Sequence, residues 1–113
     1  MRVQTHSVHF HADVKLHEHI QKRLAKLTRV NDRIEGAEVF LKLENSGQVR
    51  DKIAEVRIKL PGATIFEKKT SSTFEAAIDH VTRSLRLLIV REKEKAIEGR
   101  KVKISVEEPT TEL

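Results

Sequence analysis

The chain has 113 residues with no Cys, Trp or Tyr, and 22 Lys plus Arg stand against 17 Asp plus Glu for a formal charge of +5. That length suits one domain with a single core, and the lack of cysteine excludes disulfides, zinc-thiolate centres and thiol nucleophiles. The basic excess favours polyanionic partners. The first residues lack the apolar run of a signal peptide, and the longest aliphatic run, Leu87 to Val90, is far too short to span a bilayer. The expected address is the cytoplasm, without a membrane partner.

Residues 2–8 alternate only in part, because Thr5 and Ser7 share a face with Val3, and predict a short first strand. Asp13 is placed to cap a helix running to about Val30, with Leu16, Ile20, Leu24 and Leu27 on its buried side. Ala37, Val39, Leu41 and Leu43 then alternate with Glu38, Phe40, Lys42 and Glu44, the pattern of a strand with one dry and one wet face. Turn residues at 45–51 predict a mobile loop. Ala54, Val56, Ile58 and Leu60 alternate with Glu55, Arg57 and Lys59 in a third strand. Pro61 and Gly62 turn the chain into a fourth strand, whose Glu67, Lys68 and Lys69 suit a sheet edge.

The longest element is a helix from Ser72 to Glu98. Ser72 and Glu75 have the spacing of a capping box, and Phe74, Ala77, Ile78, Val81, Leu85, Leu88 and Ile89 recur at steps of three and four. From Glu92 onward the stripe turns charged, so the last turns are expected to project beyond the core. Gly99 reads as a break that leaves residues 99–113 as a flexible tail after a domain covering 1–98. The order β-α-β-β-β-α predicts an α+β fold: a four-stranded sheet with both helices on one face, its first two strands parallel and the rest a meander.

On the first helix Lys15, His19, Lys22, Lys26 and Arg29 fall within about 80° of arc, beside the apolar face. Arg23 lies next to this stripe, and Glu18 can pair with part of the charge, so a solvated helix face is the plain alternative. On the second helix Arg83, Arg86 and Lys93 share the outer half, Arg91 and Lys95 point elsewhere, and Leu87 and Val90 are left without a core partner. The few aromatic residues argue against recognition by base stacking, which leaves phosphate and shape recognition of folded RNA.

Enzyme signatures are absent. No histidine pair has the i, i+4 spacing of a helical metal site, and His9 and His11 have no acidic or thiol partner placed by sequence. There is no glycine-rich phosphate loop or nucleophile elbow, and Asp79 and His80, being adjacent, diverge on their helix. No cofactor and no small-molecule substrate are expected.

The element order, with AKL at 25–27, DRI at 32–34, LKLE at 41–44 and FEAAID at 74–79, resembles the ribosome hibernation promoting factor and ribosome-associated inhibitor family over about residues 1–98. The resemblance implies a domain like the double-stranded RNA-binding fold, seated in the messenger and transfer RNA channel of the small ribosomal subunit, that silences idle ribosomes. It implies rRNA contacts through Lys22, Lys26, Arg29, Arg91, Lys93 and Lys95, and the length fits a short form. Two departures stand out: Leu87, Leu88 and Val90 occupy positions where the family reads polar and basic, and Glu75 stands where Tyr is common. The other function class is a protein-interaction or weakly self-associating module that uses Leu87, Val90 and the edge strand.

Overall fold

A single sheet forms because three strands that are neighbours in sequence pair in succession, while a helix separates the first strand from its partner. The elements are β1 (Arg2–Val8), α1 (Val14–Ala25), a 3-10 turn (Lys26–Arg29), β2 (Gly36–Ser46), β3 (Val49–Leu60), β4 (Ala63–Ser71) and α2 (Phe74–Ser105). This computed structural model describes residues 1–8, 10–46 and 49–105, with side chains described except at 45–50 and 96–105. The strand order is β1-β2-β3-β4. β1 runs parallel to β2 with Thr5 opposite Val39, and the remaining pairs are antiparallel, with Val39 opposite Val56 and Ile58 opposite Ile65.

The alternation places one face of the sheet under the helices. Val39, Leu41, Ala54, Val56 and Ile58 meet Leu16, Ile20 and Leu24 of α1 and Ala77, Ile78, Val81, Leu85 and Ile89 of α2, all of them buried. Truncating a fully buried member such as Leu24 or Ile78 to Ala costs about 2–5 kcal/mol. Phe10 stacks on Phe74 with centroids 4.6 Å apart, which pins the link between β1 and α1 to the start of α2.

Asp13 caps α1 as its position predicts, its Oδ1 accepting from the Leu16 amide at 2.8 Å. The last turn, down to Arg29, tightens into 3-10 geometry, in which side chains three apart eclipse, so Lys26 and Arg29 point the same way. Beyond it, the Val30 and Asn31 amides both reach the Leu27 carbonyl, and buried Asn31 accepts from the Arg33 amide at 2.9 Å.

Three local expectations are corrected. The ladder between β2 and β3 continues to Ser46 opposite Val49, so most of the loop predicted at 45–51 is strand, since cross-strand pairing satisfies amides that a loop leaves to water. Gly47 and Gln48 lie outside the described residues. The cap of α2 is Thr73, not Ser72: its Oγ1 accepts from the Ala76 amide at 3.1 Å, and its carbonyl accepts from Ala77 at 3.0 Å. Finally, α2 continues through Gly99 to Ser105. One glycine inside a helix costs only about 1 kcal/mol, less than a long run of helix-forming neighbours supplies. Residues 106–113, the end of the predicted tail, lie outside the described residues.

The extended α2, about 48 Å at 1.5 Å per residue, accounts for a long axis of 58 Å and a radius of gyration of 17.3 Å. A compact chain of this length has a radius of about 13 Å. No helix among the described residues is long and apolar enough to cross a membrane.

Candidate nucleic-acid interface

The two helices run side by side in the same direction: His19 of α1 meets Asp79 of α2, and Val30, just past the 3-10 turn, meets Lys93. Between them opens a groove of about 570 Å³ lined by Arg23, Lys26 and Arg29 on one wall and Arg83 and Arg86 on the other, with Leu27, Val30 and Thr82 at its base. Five cations therefore face one space, and no carboxylate is among its lining residues. Two like charges about 8 Å apart in water repel by about 0.5 kcal/mol. A polyanion in the groove relieves that repulsion and releases counterions of its own.

Local sequence explains each wall. On α2 the flank between the buried stripe and the exposed side reads Asp79, Thr82, Arg83 and Arg86, and Thr82 stays buried because its hydroxyl donates to the Ile78 carbonyl at 2.8 Å. On α1 the flank passes from His19 through Arg23 into the 3-10 turn, whose eclipsed geometry puts Lys26 and Arg29 on the same side.

One end of the groove is tied by charge. Asp79 Oδ1 accepts from His19 Nε2 at 2.8 Å and lies 3.0 Å from Arg23 Nε. The second contact lacks the alignment of a hydrogen bond and is an electrostatic contact only. Arg23 is therefore partly neutralised within the molecule, whereas among the described residues Lys26, Arg29, Arg83 and Arg86 have no ion pair. At the other end Lys93 Nζ donates to the Val30 carbonyl at 3.4 Å.

Of the ten cations singled out by sequence, Arg23, Lys26, Arg29, Arg83 and Arg86 are brought together, and Lys93 closes the end. Lys15, Lys22, Arg91 and Lys95 are exposed but do not line the groove. Leu87 and Val90 lie outside the core, 67% and 38% exposed, and Leu87 borders a shallow depression with Lys69, His80, Arg83 and Ser84. Sequence reasoning passed over Asp79 as a partner for α1, although its phase beside Thr82 and Arg86 carried that signal.

Residues 3–97 match the family model described as Sigma 54 modulation protein / S30EA ribosomal protein. Among solved structures, a ribosomal subunit interface protein from Coxiella burnetii superposes with a TM-score of 0.74 at 21% identity, covering 83% of this chain and 99% of that one. The N-terminal domain of Thermus thermophilus Protein Y gives 0.70 at 26% identity, covering 80% and 98%. No curated protein matches the chain in sequence.

Proposed function

Because the chain belongs to the Sigma 54 modulation protein / S30EA ribosomal protein family, that of the hibernation promoting factors, we propose that it silences idle ribosomes by seating the groove between its helices on small-subunit rRNA in the messenger and transfer RNA channel. The observation that carries this reading is the convergence of Arg23, Lys26, Arg29, Arg83 and Arg86 on one acid-free groove. The fixed cations replace counterions along folded RNA, and the body behind them fills the path of messenger and transfer RNA. Such inhibition works by occupancy and needs no bond to be made or broken. The deciding experiment is a sucrose-gradient profile of small subunits with the natural chain and with Lys26→Glu plus Arg83→Glu. Loss of co-sedimentation in the folded variant supports the reading, and unchanged co-sedimentation overturns it.

A second reading draws on Leu87, an exposed aliphatic side chain in a depression beside the edge strand β4. In it the same fold binds a protein or a second copy there. Sedimentation velocity with Leu87→Asp tests it, and a monomer in both forms removes its support. Rising salt separates the two readings, since it weakens cation-driven RNA binding and leaves an apolar contact intact.

A further inference from the structure

The sheet face turned away from the helices is not the plain polar surface that its strand pattern suggests. A row of flat side chains crosses it, one from each strand. His6 of β1 stacks on Phe40 of β2, with centroids 4.8 Å apart and planes inclined by 15°. The guanidinium of Arg57 in β3 lies 5.9 Å from the centre of the Phe40 ring on its other side, and Phe66 of β4 stands directly opposite Arg57 in the ladder. Phe66 is 50% exposed, and the side chains of His6 and Arg57 are 48% and 51% exposed.

None of these four contributes to the core cluster, which lies on the other face. Cross-strand contacts such as His6 on Phe40 help hold the sheet, but Phe66 keeps half of its surface open to solvent at the end of the row. We infer that this face is a platform for single-stranded RNA, whose bases stack on Phe66, on the Arg57 plane and on the His6 ring, with Phe40 held between His6 and Arg57 as the support that sets their planes. Four-stranded sheets with exposed aromatics bind single strands in this way, and arginine planes serve as further stacking surfaces.

Charge supports that choice of partner. The two acids nearest the row are engaged: Glu38 lies 3.6 Å from His6 and 3.7 Å from Arg57, and Glu55 is paired with Lys42 at 3.0 Å, whereas Glu44 and Asp51 face each other farther along the ladder between β2 and β3. Arg2, Lys59 and Lys68 have no ion pair among the described residues and flank the row, placed for phosphates. Beside the row a recess of about 320 Å³ sets Arg2, Arg57 and Lys59 against Glu35 and Glu38. Such a mixture of donors and acceptors is suited to a base edge. A duplex hides its base faces and cannot use the row, and the ribosomal family places the chain among RNA. The groove lies on the opposite side of the sheet, so this inference does not rest on the groove reading.

The test uses the whole chain carrying Phe66→Trp, which has a single indole because the natural sequence has no Trp. Titration with an unstructured RNA of roughly ten nucleotides should quench that indole saturably, and a duplex of the same length should not. By fluorescence anisotropy of labelled RNA, Phe40→Ala and Phe66→Ala should each weaken binding roughly tenfold, with the fold retained by circular dichroism. Absence of quenching, equal quenching by duplex, or full affinity in the folded Phe66→Ala variant would overturn the proposal. Self-association that Phe66→Ala abolishes, in a chain indifferent to RNA, would overturn it too and make the row a protein contact. The quenching is read at the sheet and the groove is read on small subunits, so either reading can fail without the other.

Discussion

His19 and Asp79, sixty residues apart in sequence, are joined by a 2.8 Å hydrogen bond that ties α1 to α2 at the head of the cationic groove. Both side chains are about one-third exposed, which moderates the strength of the bond. Asp79→Asn removes the charge on which His19 and Arg23 converge, and should cost about 1 kcal/mol, or about 4 °C in Tm by thermal denaturation. Affinity for small subunits should hold or rise, because Arg23 is released to the groove. A fall in affinity with the fold intact would mean that the tie sets the spacing of the helices.

The partition of cations predicts unequal effects. Arg29→Ala and Arg86→Ala, which change the groove lining, should weaken small-subunit binding by roughly threefold to tenfold, whereas Lys15→Ala should change it by less than twofold. For the natural chain, five neutralised phosphates give a log-log salt slope of roughly −3.5 to −4.5, and each groove truncation should reduce it by about one. Filter binding across a salt series measures both quantities.

The helix cap offers a sharp comparison between neighbours. Thr73→Ala deletes the acceptor for the Ala76 amide and should destabilise the fold by about 1 kcal/mol. Ser72→Ala should be close to neutral in the same urea titration. The opposite ranking would restore the capping box that the sequence suggests.

Gly62 has φ of 76° in the turn between β3 and β4, and a Cβ built there meets nothing within 4 Å. Gly62→Ala therefore tests backbone conformation free of any clash, and should cost about 1–2 kcal/mol by chemical denaturation.

Periodicities of two and of three to four carried the architecture, because they record which face of each element is dry. Leu16, Ile20 and Leu24, or Val56 and Ile58, are placed in the core by their spacing alone. Element ends were harder to read, since they depend on competing local bonds. Ser72 and Thr73 both suit a cap, and Gly99 yields to the helix on either side of it. At the groove, the charges on each helix were visible, but their meeting was not. Which flank of α2 faces α1 is decided by the packing angle of two helices on a twisted sheet, and the 3-10 turn that aligns Lys26 with Arg29 is set by that packing as well. The aromatic row was concealed differently. Phe40 and Phe66 each sit on the wet phase of their own strand, a visible anomaly, but only the lateral register brings them into line with His6 and Arg57.

The parallel seam between β1 and β2 also dictates an order of assembly. Register pairs such as Arg2 with Gly36 join residues separated by a whole helix, while the ladders of β2 with β3 and of β3 with β4 pair strands that are neighbours in sequence. Hairpins of that kind form in microseconds, and closure of a longer loop carries a larger entropic cost. During synthesis β1 therefore emerges first and docks late, with its amides unprotected until β2 has left the ribosome.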